Sequence, residues 1–264
     1  MHVSILSIIF MGLSAILSIG APVVLFIIFH KKYKAPVLPM IVGAAAFIIF
    51  ALILEQSVHL IVLKRFALIE KPFLYMLYGT LMAGIFEETA RFLSFHILKR
   101  KYRGIGTGLS YGAGHGGIEA VLVAGLAMIN AIVSSIMINS GSVETITGKL
   151  QGPALEQANA QLTALITTAP YLFLIGGLER IFAIGIQMSL SVMVFYAVFS
   201  KGKWWLYPLA ILLHAIIDAP AALTQAGVIK NVLFVEGIVC ISCVLILLLA
   251  RYIHTRLRQN DLPE

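Results

Sequence analysis

Charge is scarce in this sequence: 12% of its 264 residues are Asp, Glu, Lys or Arg, against about 25% in soluble domains. Cysteine is scarcer still, at two residues, Cys240 and Cys243, so no disulfide framework is implied. Their C-x-x-C lies in the apolar run Ile238–Leu249 without a second Cys or His pair, and reads as two small buried hydrophobes rather than a redox or zinc site. The H-E-x-x-H order of soluble zinc proteases is missing, which weakens a conventional metalloprotease reading, and no Ser/His pairing stands out. Internal repeats and low-complexity tracts are absent as well. In the place of charge there is apolar length: 60% of residues are hydrophobic and mean hydropathy is +0.97. That excludes a soluble domain and predicts an all-α, polytopic membrane helix bundle, because the apolar runs are long and do not alternate.

With about 20 apolar residues per span, the chain reads as seven transmembrane helices at about 3–29, 37–63, 72–98, 105–138, 167–199, 204–226 and 231–250. They form a single integral membrane domain over 1–264. The first run lacks a basic leader segment and is too long for a cleaved signal, so it reads as a membrane anchor. The net charge of +7 is a topology signal, not a nucleic-acid one. Clusters at 30–34, 99–103, 201–203 and Arg251…Arg256…Arg258 hold 12 Lys or Arg on alternate connections, and the opposite side holds five. This bias places the N-terminus outside and the C-terminus in the cytoplasm. Trp204 and Trp205 read as interfacial anchors, and Glu55 with His59 as a snorkelling pair near the outer interface. The segment 139–166 is the one long polar stretch. Leu155, Leu162, Leu165 and Ile166 recur at helical spacing after Gly152-Pro153, so an interfacial helix and a plain connector both stand.

Against this apolar background three pairs of polar residues stand one helical turn apart: Glu87–Arg91 in IFEETARF, His115–Glu119 in GAGHGGIEAV and His214–Asp218 in ILLHAIIDAP. An ionisable group at bilayer depth costs roughly 2.5 to 3.5 kcal/mol on insertion scales, so it marks function by default. Glu88 lies 11 residues before Lys99, His115 lies 12 after Arg103 and His214 lies 11 after Lys203. At about 1.5 Å per residue, all sit roughly 16–18 Å from the basic edge, near the middle of a core about 30 Å thick. Unrelated polar residues would scatter in depth, so the coincidence points to one shared site. Glu87 and Glu88 are about 100° apart on the helix. One faces the site while the other pairs with Arg91, and sequence leaves open which. Gln187, 14 residues before Lys201, approaches the same depth as a supporting residue. Gly112, Gly114, Gly116 and Gly117 around His115 admit either a substrate chain or tight helix packing.

A Glu, two His and a further carboxylate support two hydrolytic chemistries. A divalent metal such as zinc, held by Glu87, His115 and His214, would polarise water and a carbonyl. Without metal, a Glu takes a proton from water and the histidines stabilise the oxyanion. A proton- or ion-coupled transporter uses the same residue types, although such folds often carry repeats. A non-catalytic membrane scaffold with a structural polar network is the third reading.

The order E-E-x-x-R, then H-G-G-x-E, then H-x-x-x-D on successive spans resembles the YhfC-type intramembrane proteases. These resemble a wider group of CAAX-type (CPBP) proteases, PrsW and the APH subunit of gamma-secretase. The resemblance covers essentially the whole chain in span number and motif order. It implies an intramembrane endopeptidase of a bacterial plasma membrane, of glutamate or metal type, acting on a membrane-protein or lipidated-peptide substrate, with no nucleic-acid partner. By the same resemblance Glu87 activates water together with His115, His214 and Asp218 support the oxyanion, and Glu88 and Arg91 hold the network. The CAAX-type pattern is E-E-x-x-x-R, one residue longer than here. The family often has a His where this chain has Gln187; were that His a ligand, this chain would bind no metal or be weakened, and the resemblance leaves the metal open.

Overall fold

The structure, a computed structural model, describes residues 2–66 and 68–261. Helices form wherever the apolar runs lie, and among the described residues no strand occurs. Eight helices carry the fold: α1 Ile5–Tyr33, α2 Val37–Phe66, α3 Pro72–Leu98, α4 Ile105–Asn139, α5 Pro153–Thr167, α6 Pro170–Phe199, α7 Leu206–Gln225 and α8 Val232–Asp261. Proline opens α3, α5 and α6, at the position where a missing N–H costs nothing. Glycine closes two others. After α4 and α7, Gly141 (φ 75°) and Gly227 (φ 74°) take the left-handed conformation. Each lets the next residue bond back into the last turn, Ser142 N to Met137 O and Val228 N to Leu223 O, both at 2.9 Å.

Six of the seven expected spans, α1, α2, α4, α6, α7 and α8, are long and apolar enough to cross a membrane. The remaining one, α3, has the length at 27 residues, and it carries Glu87, Glu88 and Arg91. The polar stretch after α4 contains a full helix, α5, so of the two readings of that segment the helix is the one formed. Two helices change their winding midway, α2 over Ile48–Glu55 and α4 over Ala120–Gly125, where the wider π turn replaces the α turn.

The chain divides into two compact units, Met1–Ala21 with Ala120–Ile181, and Pro22–Glu119 with Phe182–Glu264. In the first, Val3, Met11, Ile138 and Leu162 form the core, and Leu165 and Ile166 of α5 pack on it. The Asn139 amide clasps the start of the chain, accepting from Val3 N at 2.8 Å and donating to Val3 O at 3.0 Å. In the second, α6 is central: Ile186–Ala197 is buried on every side, its mostly apolar residues interrupted by Gln187, Ser189 and Ser191. Phe95, Tyr111 and Leu206 pack around it.

The glycines before and after His115 are where helix backbones meet. A Cβ on Gly112 would lie 2.7 Å from Met188 Cα, and one on Gly116 would lie 2.8 Å from Gln187 Cβ, both on α6. Gly114 faces Met40 of α2, and Gly43 of α2 in turn faces the Tyr111 carbonyl. The space these glycines leave is thus taken by the protein's own helices rather than by a channel for substrate. Gly112→Val is therefore expected to melt at a lower temperature in detergent, because overpacking costs about 1–3 kcal/mol. Gly79→Ala on α3, with nothing within 4 Å of its added carbon, is expected to hold or gain stability. Equal melting of the two variants would contradict the close approach.

Candidate active site

Four helices of the second unit bring the polar pairs together: α3 with Glu87, Glu88 and Arg91, α4 with His115 and Glu119, α6 with Gln187, and α7 with His214 and Asp218. All three expected chemical groups meet at one oxygen. Glu87 Oε2 lies 2.8 Å from His115 Nε2 and 4.0 Å from His214 Nε2. Gln187 Nε2 donates to the same oxygen at 3.0 Å and to Glu119 Oε2 at 2.7 Å. The equal depths read from sequence thus correspond to a real convergence.

Arg91 resolves the question of which glutamate it serves by taking both. Its Nη1 donates to Glu88 Oε1, its Nη2 reaches Glu87 Oε2 at 3.5 Å, and Nη2 also donates to Gln187 Oε1. Its Nε donates to Ser191 Oγ at 3.2 Å, and Ser191 donates to the Gln187 carbonyl at 2.8 Å. A planar guanidinium with donors on three sides suits such a fully buried crossing; a lysine does not. One cation offsets one carboxylate, and His214 answers for the other. His214 Nδ1 lies 2.7 Å from Glu88 Oε1, and Nε2 lies 3.3 Å from Asp218 Oδ2. A ring facing carboxylates through both nitrogens donates on both sides only as the imidazolium. With His214 protonated, two buried cations balance the two buried carboxylates of Glu87-Glu88.

The two glutamates are not equivalent. Glu88 is fully enclosed, and its Oε2 is buried without a hydrogen-bond partner. The Glu87 side chain keeps 9% of its surface open. Every bond to Glu87 falls on Oε2, which leaves Oε1 for a ligand. Asp218 is the most open member of the group, with 44% of its side chain exposed. His115 is held by two aromatic rings: Phe47 meets it edge-on at 5.2 Å and Tyr111 stacks at 5.9 Å.

Sequence reading missed several of these parts. Ser191 and Tyr111 lie four residues from Gln187 and His115, on the same helix faces, and that spacing was the available signal. Gly108-Leu109-Ser110-Tyr111-Gly112 has the G-x-S-x-G order of a serine nucleophile, but it lies within α4 rather than on a strand-to-helix turn. The Ser110 hydroxyl donates to the Pro36 carbonyl, a structural use. Cys240 and Cys243 are free, and Cys243 packs beside Gly185 as a small hydrophobe.

Compared with known proteins, the chain matches a family model described as YhfC intramembrane metalloprotease over residues 14–239. It is also 37% identical, over 243 residues, to the membrane protein YhfC of Bacillus subtilis (strain 168), covering 90% of this chain and 93% of that one. The chain belongs to the YhfC intramembrane metalloprotease family. No solved structure matches it. It is a membrane protein, and the family's description implies a metal. Among the described residues, however, no three His, Cys, Asp or Glu form a group able to hold a metal ion. Of the donors there, His115 Nε2 faces Glu87 Oε2 and both nitrogens of His214 face carboxylates, while Glu87 Oε1 and His115 Nδ1 carry no hydrogen bond; the Gln187 amide nitrogen, which cannot ligate, sits between Glu87 and Glu119. As arranged, the described residues do not make a site with three protein ligands.

Proposed function

We propose that the chain hydrolyses a peptide bond of a membrane-protein or lipidated-peptide substrate within the bilayer, with Glu87 as general base. The observation that carries this reading is the asymmetry of Glu87: Oε2 is fixed by His115 and Gln187, while Oε1 is unbonded on the only open carboxylate of the adjacent pair. Water at Oε1 gives up a proton to Glu87 as its oxygen attacks the scissile carbonyl carbon. His115 holds Glu87 through Nε2 for this step, and the Nε2–H of His214, oriented by Asp218, stabilises the oxyanion. Glu87 then passes the proton to the departing amine nitrogen as the C–N bond breaks. Glu88, Arg91 and Glu119 hold the network in place. The basic clusters support a cytoplasmic C-terminus and an outside N-terminus.

The test is cleavage of membrane-spanning and lipidated peptides by the purified protein in proteoliposomes, read by mass spectrometry. Cleavage is expected with the wild type, lost in His115→Ala and His214→Ala, and retained in excess chelator. Loss on chelation with recovery on added zinc would put a metal into the chemistry. Proton flux without cleavage, abolished by Glu87→Gln, would make the protein a transporter instead.

A further inference from the structure

Three carboxylates are buried among the described residues: Glu87 and Glu88, which belong to the site, and Glu55, which does not. Sequence position suggests that Glu55 and His59 snorkel outward, yet Glu55 is only 5% exposed, enclosed by protein. The winding of α2 explains the burial. Gly43, Phe47, Ala51 and Glu55 recur every four residues, all buried. In an α-helix such a row drifts by about 40° per step. The wider turn over Ile48–Glu55 keeps the row nearer one line. The face of α2 that sets Phe47 against the His115 ring therefore also carries Glu55 inward.

From Glu55 a hydrogen-bonded chain leads away from the site. Glu55 Oε1 lies 3.0 Å from His59 Nε2, and His59 Nδ1 lies 2.9 Å from the Tyr78 hydroxyl on α3. An ionised carboxylate only accepts, so His59 Nε2 carries the proton and Nδ1 accepts from Tyr78. The groups also descend in order. His59 is five residues before Lys64, Tyr78 seven after Lys71, Glu55 nine before Lys64 and Glu87 sixteen after Lys71. At 1.5 Å per residue that is about 8, 10, 14 and 24 Å from the helix ends marked by these lysines. Lipid-facing neighbours on the same turn of α2, Leu60 and Ile61, are apolar and 76% and 70% exposed.

Hydrolysis consumes one water per bond, and an apolar bundle offers water no partners; a buried water needs two to four polar ones. We propose that Glu55, His59 and Tyr78 line the path by which water reaches Glu87 from the Lys64–Lys71 end of the helices. The purpose of the path rests on the hydrolytic reading above, but its existence is testable without catalysis.

In a chain carrying Cys240→Ser and Cys243→Ala, single cysteines replace the path residues (Glu55→Cys, His59→Cys, Tyr78→Cys) or the lipid-facing controls (Leu60→Cys, Ile61→Cys). A charged methanethiosulfonate reacts only where water ionises the thiol. In proteoliposomes the path positions are expected to react at least about ten-fold faster than the controls, falling from His59→Cys and Tyr78→Cys to Glu55→Cys. Hydroxyl-radical footprinting of the unaltered chain is expected to oxidise Tyr78 and His59 ahead of Leu60 and Ile61, with no substitution to disturb folding. Path positions no faster than the controls would overturn the proposal. Labelling of the path without peptide cleavage would sustain it and defeat the hydrolytic reading; cleavage with a silent path would do the reverse.

Discussion

Glu87→Gln is expected to lower turnover by about 10²- to 10⁴-fold, the usual worth of a positioned general base, while the protein still folds. The substitution keeps the size of the side chain and removes its basicity. The oxygen of the new amide still accepts from His115 Nε2 and Gln187 Nε2, and Arg91 still has Glu88, Gln187 and Ser191. What is lost is the ability to take a proton from water, which an amide does not do at neutral pH. Glu88→Gln is the matched control. It sits next in sequence and is fully enclosed, with its Oε1 shared between Arg91 and His214. Its loss is expected to appear chiefly as a lower melting temperature, with a smaller fall in turnover per folded molecule. Initial rates of cleavage, normalised to folded protein, decide between the two. A dead Glu88→Gln with normal melting beside an active Glu87→Gln would reverse the assignment of base and anchor.

The convergence of Glu87, His115 and His214 was legible because two simple measures agree. Spacing of one turn puts each pair on one helix face, and distance from the basic edges puts all three at one depth. Neither measure describes how a helix is rotated toward its neighbours. Glu55 shows the consequence: counted from the helix end it belongs to the interface, whereas the π turn swings it under protein cover. Nothing in the spacing of Ile48–Glu55 announces that turn, since an apolar run reads alike in either winding. Gln187 was placed near the right depth, but its role as a bridge between Glu87, Glu119 and Arg91 depends on the close approach of α6 at Gly112 and Gly116. The glycines were visible; which backbone they admitted was not. The span count suffered less, because length and apolarity are properties of each run alone. Even there α3, bearing the site's charges, falls outside the six helices that composition by itself recognises as spans.

Arg91→Met is expected to be the most damaging single substitution to the fold. The side chain is fully buried and joins two helices, through Glu87 and Glu88 on its own α3 and through Gln187 and Ser191 on α6. Removing one partner of a buried ionic group costs about 3–5 kcal/mol, because the other is left buried and uncompensated. Domain stabilities are only about 5–15 kcal/mol, so the variant is expected to lose much of its folded fraction at moderate temperature. Arg91→Lys keeps the charge but replaces a planar fork with a single ammonium, which cannot face Glu88, Gln187 and Ser191 together. It is expected to fall between Arg91→Met and the wild type. The decisive arm is the double substitution Arg91→Met with Glu88→Gln. If the damage comes from an uncompensated anion rather than from lost packing, removing that anion recovers part of the stability, and the double variant melts above Arg91→Met alone. Melting curves of the four proteins in one detergent measure this coupling. A double variant no more stable than the single one would mean that Arg91 acts through its volume, and that the balance of two cations against two carboxylates is not what holds Glu87 in place.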